Sequence, residues 1–475
     1  MLDTFRKYCS VLLLLTLISG CSSTSFSDLF TTYNQQMHNV RQAQINGNYL
    51  EAISHIPTRN KENNSYYLSL LEKARLEFLA GNNQQSQKHF EQVFKHIQAS
   101  QLAAKIELSR GVENIAAVMS NDNAIRYDIP LYEQGMLHSY QALNYIAQED
   151  LSGALVEIRR ANLVQEQALL ANADSIYSYH KRMAAQGLSD DELNRHYPSM
   201  KNTIGNIKNG FQNAYTFYLS ALLFEASGQK NDAYIDYKKA LEIFPTNPFL
   251  QQNVWRLANY LSMHDDVELL KTMLPEDITK SINRANQGRI VFVIENGIVA
   301  SKQEVAVNLP ISTRRNTMRF YSVALPSYQN QIVNYSPLRL EYKGKYIQSA
   351  EIVRLQSLAA KQLKDELPVI VSRQIVRLIA KEKVRQQLER KNGELGNVFA
   401  SLYNLASEKA DTRSWSTLPD SVQIMEVDFP KGEHQFLLNI NGINQQIDAT
   451  VNTNRITLIK VNAIGDYSQH AIYNL

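Results

Sequence analysis

The chain has 475 residues, of which 44% are hydrophobic and 20% charged, and its formal net charge is +3. This composition is typical of a globular protein, and the length predicts two or three domains. A charge this close to zero lacks the basic excess of nucleic-acid-binding proteins, so we expect no nucleic-acid partner.

The N-terminus has the parts of an export signal. Arg6 and Lys7 precede an apolar stretch from Tyr8 to Ile18, and the small pair Ser19-Gly20 comes directly before Cys21. About eleven apolar residues are too few to cross a membrane, which takes roughly 20 helical residues. We therefore expect residues 1–20 to be a cleaved signal peptide.

The motif Leu17-Ile18-Ser19-Gly20-Cys21 resembles the signal of bacterial lipoproteins. The resemblance implies that Cys21 is acylated and anchors the chain to a membrane. The alternative is an ordinary secretory signal with a chance cysteine. In Gram-negative lipoproteins an Asp after the lipidated cysteine favours the inner membrane. Because Ser22 stands there, the resemblance implies the outer membrane, facing the periplasm.

Residues 21–28 are then the lipidated cysteine and a short Ser-rich tether, which reaches no more than roughly 25 Å. Cleavage would remove Cys9 and lipidation would block Cys21, so the mature chain would have neither a free thiol nor a disulfide. The folded body is expected to lie close to the lipid surface.

The segment from Ala214 to Pro245 matches the 34-residue tetratricopeptide (TPR) pattern. Small residues such as Ala221 and Ala233 allow two antiparallel helices to approach, Gly228 lies in the turn between them, and Pro245 ends the second helix.

Weaker copies of this repeat lie upstream. Gly47 and Gly81 are 34 residues apart, and Ala154 lies 68 residues beyond Ser86, which is two periods. We interpret residues 29–274 as an all-α, TPR-like helical solenoid of four or five units with an insertion near residues 165–209. Such stacks have a continuous core and an extended concave surface that serves binding.

Strand patterns replace helical periodicity after Pro275. We predict strands over the following ranges: 289–294, 305–309, 319–325, 338–342, 346–347, 422–427, 433–440, 443–451 and 456–461. Two or three helices are expected between Ala350 and Lys409, and Asn441-Gly442 predicts a hairpin turn. Residues 283–475 are thus expected to form an α+β domain with an antiparallel sheet, so the overall fold class is α+β.

Motifs for catalysis or metal binding are weak. Ser227-Gly228-Gln229-Lys230 has the Ser-x-x-Lys spacing of penicillin-recognising enzymes, but it falls in a repeat turn and no Lys-Thr-Gly partner motif occurs. His89 and His96 lie two helical turns apart, too far for one metal ion. We expect no catalytic residues, no metal and no cofactor.

Two basic groups are candidate contact sites. Arg373, Arg377, Lys381 and Arg385 step by four along a predicted helix and could contact an anionic surface such as lipid headgroups or cell-wall polymer. The alternative is a solvated face. Arg159 and Arg160 near the end of a repeat helix are candidates for binding an acidic partner, or they complement the helix dipole.

The stretch Asp411-Thr412-Arg413-Ser414-Trp415 is dense in specific polar groups. One interpretation is a recognition site in which Arg413 and Trp415 bind a partner. The other is a helix-to-strand junction where Asp411 pairs with Arg413 or caps a backbone end while Trp415 fills the core.

The runs from Tyr140 to Asn162 and from Ala410 to Pro419 resemble a family of uncharacterised Gram-negative TPR lipoproteins. The resemblance spans nearly the whole mature chain, implies an envelope role and carries no site residues over. We therefore expect a membrane-anchored scaffold or adaptor that binds a periplasmic or envelope protein in cell-envelope assembly. The alternative is a cell-wall remodelling or other hydrolytic enzyme with a catalytic C-terminal domain around Asp411 and Arg413.

Overall fold

The computed structural model describes residues 31–110, 122–185, 188–279, 286–312, 318–342, 345–378, 409–440 and 442–475. In these ranges the helices are α1 (Tyr33–Gln36), α2 (His38–Ile45), α3 (Tyr49–His55), α4 (Tyr66–Leu79), α5 (Asn83–Arg110), α6 (Leu131–Ile146), α7 (Leu151–Ala185), α8 (Asp190–His196), α9 (Lys201–Ile204), α10 (Ala214–Ala226), α11 (Lys230–Ile243), α12 (Pro248–Tyr260), α13 (His264–Met273), α14 (Glu276–Thr279) and α15, whose described part covers residues 355–378.

Among the described helices, five pairs form antiparallel hairpins: α2–α3, α4–α5, α6–α7, α10–α11 and α12–α13. Each first helix ends in the same turn. One residue has positive φ, and the amide N–H that follows it donates to a carbonyl five residues back. The residues with positive φ are Gly47 (75°), Gly81 (78°), Glu149 (60°), Gly228 (82°) and Ser262 (57°).

Three of the four intervals between these turns are multiples of the predicted 34-residue period, whereas Glu149 and Gly228 are 79 residues apart because the expected insertion near residues 165–209 lies between them. The residue five positions after each of the first four positive-φ residues is small and fully buried, and these are Ala52, Ser86, Ala154 and Ala233. Small side chains there allow the two helices to approach, as expected. The fifth hairpin lies 34 residues after the fourth, and the sequence signal was weak because Ser262 replaces the usual glycine. The α+β fold class with a TPR-like helical part is confirmed.

Eleven strands are described: β1 (Gln287–Asn296), β2 (Gln303–Ser312), β3 (Met318–Ser327), β4 (Arg339–Tyr342), β5 (Lys345–Gln348), β6 (Ala350–Arg354), β7 (Ser421–Pro430), β8 (Gly432–Ile440), β9 (Ile443–Val451), β10 (Ile456–Ile464) and β11 (Tyr467–Asn474). The nine predicted strands are present. β11 was missed, and β6 occupies residues expected to begin a helix.

The strands form three sheets. A five-stranded sheet has the order β11-β10-β1-β7-β6, a four-stranded sheet has the order β5-β4-β8-β9, and β2 with β3 forms a separate hairpin. Pairing is antiparallel except between β1 and β10, which run parallel. The prediction of a mainly antiparallel sheet is confirmed, although one sheet had been expected.

The five-stranded sheet lies between the helices and the four-stranded sheet. On one face of β1, Glu295 contacts Arg75 of α4 and Tyr140 of α6. On the other face, the Phe292 ring packs edge-on against Phe436 of β8, with centroids 6.0 Å apart. The helical stack therefore does not leave an open concave surface among its described helices, because the chain's own sheet covers that side.

Candidate functional site

The segment of residues 410–420, here called the Trp415 segment, lies in the groove formed by the first helices of the stack. Its residues 410–415 form neither helix nor strand, and Asp420 leads into β7. Side chains from α2, α4 and α6 bind its backbone directly. This is the manner in which a helical-repeat groove holds an extended peptide, but here the peptide belongs to the same chain.

Glu72 of α4 is the central acceptor for this segment. Its Oε1 accepts from the Ser416 backbone N–H (2.7 Å), the Ser416 hydroxyl (2.8 Å) and the Tyr33 hydroxyl (3.0 Å), and its Oε2 accepts from the Thr417 N–H (2.9 Å). The side chain is fully buried. Burial raises the pKa of Glu72, and the hydrogen bonds from Thr417 and Ser416 oppose that rise.

Glu133 of α6 is a second buried acceptor. Its Oε1 receives the Trp415 N–H (2.9 Å) and the hydroxyls of Tyr127 (2.8 Å) and Tyr132 (3.0 Å). Its Oε2 is buried and accepts no hydrogen bond from the described residues. Burial raises the pKa of Glu133 to about 7, although the bonds from Trp415 and Tyr127 lower it in part.

Helix α2 supplies donors to the same backbone. Arg41 donates to the Ser416 carbonyl at 2.6 Å, and Gln44 donates to the Thr417 carbonyl at 3.0 Å. Carboxylates thus bind the N–H groups and an arginine and an amide bind the carbonyls, which leaves this backbone well satisfied.

The structure contradicts the proposed exposure of Trp415 and Arg413 to a partner. Trp415 has no exposed surface, and its ring packs near Phe90 and Tyr140. Arg413 is buried and forms a 2.7 Å ion pair with Asp411. The core-filling interpretation of the stretch is the one observed, because a large aromatic ring gains most from complete burial.

Buried ion pairs connect the helices to the five-stranded sheet. Glu295 of β1 pairs with Arg75 of α4 and with Lys460 of β10 (2.8 Å), and accepts from Tyr140 (3.0 Å). Burial lowers the pKa of Lys460 to about 8, against the opposing effect of Glu295.

A second such cluster lies at the other end of β1. Arg289 pairs with Glu225 of α10 (2.7 Å) and Glu426 of β7 (3.3 Å). Burial acts to raise the pKa of Glu225, but Arg289 and Arg256 outweigh it and bring the pKa to about 2. The helices and the sheet are thus joined by charges that neither could keep buried alone.

A cleft of about 460 Å³ opens beside the Arg413–Asp411 pair. Its charged lining residues are Asp122, Arg126, Asp128, Lys302, Asp365, Glu366, Arg373, Asp411 and Arg413. Burial acts to raise the pKa of Asp411, but the Arg413 guanidinium outweighs it and the pKa is lowered. Burial raises the pKa of Glu366, opposed by the hydrogen bond from Gln362. Asp411 is thus held as an ion-paired carboxylate.

The basic stripe is only partly a surface feature. Arg377 is buried and donates to Asp122 at 2.8 Å, so it cannot contact an anionic surface, and that expectation was wrong for it. Arg373 is partly exposed and lies 3.7 Å from Asp122. Lys381 and Arg385 lie outside the described residues. The stripe's inward face was not visible in the sequence because its acceptor, Asp122, is 255 residues from Arg377 in the chain.

Arg159 and Arg160 differ in their surroundings. Arg159 is exposed on α7 and donates to the Gln229 amide oxygen at 2.8 Å. Arg160 pairs with the buried Glu157 at 2.6 Å, and its guanidinium lies 4.4 Å from the Phe94 ring centroid. Arg159 is exposed, whereas Arg160 is partly buried by these contacts.

The buried carboxylates Glu72, Glu133 and Glu295 were not among the predicted site residues. The available signal was an acidic residue within an apolar stretch, as in Leu70-Leu71-Glu72 and in Val293-Ile294-Glu295. A charged side chain in such a position needs a buried partner.

Cys21 and the tether lie outside the described residues. Where the structure is described, no helix is both long and apolar enough to cross a membrane. The same ranges hold no group of three or more His, Cys, Asp or Glu side chains that could bind a metal ion.

Comparison with known proteins found no matching family model and no matching curated protein. Similar solved structures include MamA, with 10% identity, a TM-score of 0.27, and coverage of 49% of this chain and 91% of MamA. The nearly identical TPR-like repeats of a kinesin-light-chain-like protein from Podospora anserina have 15% identity and a TM-score of 0.27. This match covers 52% of this chain and 93% of the other. The TPR2AB domain of yeast Sti1 in complex with pHSP90 has 10% identity and a TM-score of 0.17. This match covers 50% of this chain and 88% of the other. These TM-scores are too low to inform function.

Proposed function

We propose that the protein is a membrane-anchored scaffold or adaptor that binds a periplasmic protein in cell-envelope assembly. The lipoprotein-like motif ending at Cys21 supports the anchor, and Ser22 supports the outer membrane. The five helix hairpins support a binding role, since stacked repeats present extended surfaces to other proteins.

The observation that carries this proposal is an exposed stripe on α7. Val156 is 47% exposed and Leu163 is 51% exposed, and Arg159 lies exposed between them. These positions are three and four residues apart, so they share one face of the helix. Apolar side chains beside an arginine are typical of protein interfaces. Because the inner groove is filled by the Trp415 segment, we propose the outer helices as a partner surface.

The test is a pull-down of the full-length chain from crosslinked envelopes, followed by mass spectrometry. We expect a protein partner that is lost in the variant Val156→Glu/Leu163→Glu and kept in Leu50→Glu, which alters a still more exposed leucine (67%) on α3. Recovery of nothing beyond background, or equal capture by both variants, would contradict the proposal.

The anchor is tested separately. Cys21→Ser is expected to move the protein from the membrane fraction to the soluble periplasmic fraction, because acylation needs the cysteine thiol. An unchanged distribution on fractionation would mean that the motif does not act as a lipidation signal.

The cleft beside Asp411 favours a second candidate, a cell-wall remodelling or other hydrolytic enzyme. Glu366, with its raised pKa, lines the cleft together with Asp128, and a carboxyl group of raised pKa suits general acid catalysis. If the chain is such an enzyme, incubating it in purified form with cell-wall sacculi will release soluble fragments, and Glu366→Gln will abolish the release. Asp411 itself is held by Arg413, so the scaffold remains the proposed function.

A further inference from the structure

The buried ion cluster around Glu295 holds more positive than negative charge. Arg75 of α4 and Lys460 of β10 both pair with this one carboxylate, and no other acidic side chain in the described ranges pairs with either cation. All three side chains are almost completely buried. Burial lowers the pKa of Lys460 to about 8, although Glu295 opposes the change, so the lysine is mostly protonated at pH 7. Two cations facing one anion leave one positive charge uncompensated in the interior, which is costly.

The other titratable groups of the cluster do not supply the missing negative charge. Four tyrosines interact with Glu295, and burial raises the pKa of each, so their hydroxyls stay neutral. These are Tyr49, Tyr140, Tyr215 and Tyr473. No described residue accepts a hydrogen bond from Nε or Nη1 of Arg75. The Lys460 ammonium has three N–H groups, and Glu295 is the one acidic group in the described part of the chain that contacts it. Donors as well as positive charge are therefore left over.

Lys460 also lines a cavity of about 400 Å³ between the α4–α5 turn and β11. Its register partner on β11 is Ala471, so the neighbouring strand places only a methyl group beside the lysine. Gly81 and His470, which belong to the lining, are exposed. The cavity therefore connects the buried cluster to solvent.

The lining of this cavity has the chemistry of an anion site. Lys460 is its one cationic side chain at neutral pH, because burial lowers the pKa of His470. No aspartate or glutamate is among the described residues that line it. Its other polar side chains are the amides of Asn83, Asn462 and Gln469. An anion that enters the cavity would thus meet hydrogen-bond donors and no negative charge.

We propose that this cavity, here called the Lys460 pocket, binds a small molecule through one carboxylate group, which accepts hydrogen bonds from the Lys460 ammonium. A monoanion matches the single uncompensated charge, whereas a phosphate group carries about −1.5 to −2 at pH 7. Cavities that bind small molecules have volumes of roughly 300–1,000 Å³, so this one suits a ligand at the small end of that range.

The burial of Lys460 decides how such a ligand lies. Only 4% of the lysine is exposed, so the ligand would reach it with its charged end alone. The body of the ligand would occupy the outer part of the pocket, where Ala471 and Tyr473 are partly exposed. This inference goes beyond the proposed scaffold function and does not require a protein partner.

The test measures the reactivity of Lys460 in the purified full-length chain. Acetic anhydride acetylates only the unprotonated amine, and mass spectrometry of the digested protein reports each lysine separately. Lys271, which is exposed on α13, is the internal reference. Sodium benzoate and sodium acetate are the carboxylate probes, and sodium phosphate and sodium chloride are compared with them at equal ionic strength.

A bound carboxylate should raise the pKa of Lys460, because a neighbouring negative charge stabilises the ammonium. A rise of about one unit would lower the acetylation rate of Lys460 about tenfold at pH 7. We expect this protection at saturating benzoate, with the rate at Lys271 unchanged. Acetate should protect at higher concentrations, since its smaller body makes fewer contacts. Phosphate and chloride should have little effect.

Two variants separate the charge of the pocket from its space. Ala471→Leu keeps Lys460 and fills the cavity beside it, so benzoate should no longer protect the lysine. Lys460→Met removes the excess charge and leaves Arg75 and Glu295 as a balanced pair, so the variant should fold. Its benzoate binding, measured by isothermal titration calorimetry, should be lost. Lys271→Met is the matched control and should bind benzoate like the wild type, and circular dichroism checks the fold of all three.

The inference would be overturned if neither carboxylate slowed the acetylation of Lys460, if Ala471→Leu kept the protection, or if Lys460→Met still bound benzoate. Equal protection by chloride would mean that the pocket holds an adventitious ion only. Stronger protection by phosphate would assign the pocket to another class of ligand, which also contradicts the proposal. The envelope pull-down tests the scaffold function separately, so either proposal can fail while the other stands.

Discussion

Two buried glutamates hold the Trp415 segment in different ways. Both oxygens of Glu72 accept backbone N–H groups, whereas the three donors to Glu133 converge on one oxygen. The same substitution to glutamine should therefore have unequal effects at the two positions.

Glu72→Gln is expected to lower the free energy of unfolding by about 2–4 kcal/mol, because the new amide NH₂ would face an N–H donor of Ser416 or Thr417 and leave it unsatisfied. Urea denaturation measures the change. Glu62→Gln, at an exposed position before α4, is the control and should change stability by less than about 0.5 kcal/mol. A loss at Glu72 no larger than that of the control would show that this carboxylate does not hold the segment.

Glu133→Gln should lower the free energy of unfolding less than Glu72→Gln does, because the amide oxygen can keep all three hydrogen bonds. It should also alter the pH dependence of stability. The pKa of Glu133 is about 7 in the folded chain, above the ordinary value of 4.5. The folded state thus holds the proton on Glu133 more tightly than the unfolded state does. The contribution of this protonated carboxyl to the free energy of unfolding is complete below pH 4.5 and is lost as the pH rises through 7. Between these pH values, the free energy of unfolding of the variant should rise by about 1–3 kcal/mol relative to that of the wild type.

Urea denaturation of both proteins from pH 4 to 8 measures this difference. A difference that stays constant across the range would mean that Glu133 has an ordinary pKa in the folded chain.

At the scale of elements, the five hairpin turns explain how much of the fold the sequence predicts. Gly47, Gly81 and Gly228 occupy positive-φ positions that suit glycine, so the spacing of glycines predicts the repeats. The turns at Glu149 and Ser262 adopt the same geometry with residues that carry a Cβ atom. The third hairpin was found from its alanine spacing, and the fifth was not assigned as a separate repeat.

Glu149→Gly and Ser262→Gly are expected to stabilise the chain by up to about 1 kcal/mol each, because glycine adopts positive φ without steric cost. Gly228→Ala, the reverse change at the equivalent position, should destabilise it by a similar amount. Thermal unfolding measures all three. Opposite signs would show that side-chain contacts, rather than backbone conformation, dominate these turns.

The sheet elements show the limits of local patterns. The hairpin at Asn441-Gly442 was predictable because β8 and β9 alternate buried and exposed residues on either side of a two-residue turn. β6 and β11 were not, since their burial does not alternate in this way. Their strand conformation depends on the neighbours β7 and β10.

At the scale of the whole molecule, Glu295 joins the two halves by neutralising Arg75 of α4 and Lys460 of β10. Glu295→Gln is expected to lower the free energy of unfolding by about 3–5 kcal/mol, because two buried cations would lose their counter-charge. Urea denaturation measures the loss, and Glu268→Gln on the exposed face of α13 is the control.

Adding Lys460→Met to Glu295→Gln should recover part of that loss, since one uncompensated charge is removed. If the double variant is less stable than Glu295→Gln alone, the lysine stabilises the fold through contacts other than the ion pair.

The sequence by itself determined the helix hairpins, most strands and the α+β class, because turn glycines, small residues at fixed spacing and alternating apolar residues act within a few positions of one another. Only the tertiary structure decided that the Trp415 segment and the sheet fill the inner side of the helical stack. That outcome depends on pairs such as Glu72 with Ser416 and Arg75 with Glu295, which lie 344 and 220 residues apart. Neither partner has a local signature that identifies the other, so the burial of Trp415 and Arg413 became visible only in the folded chain.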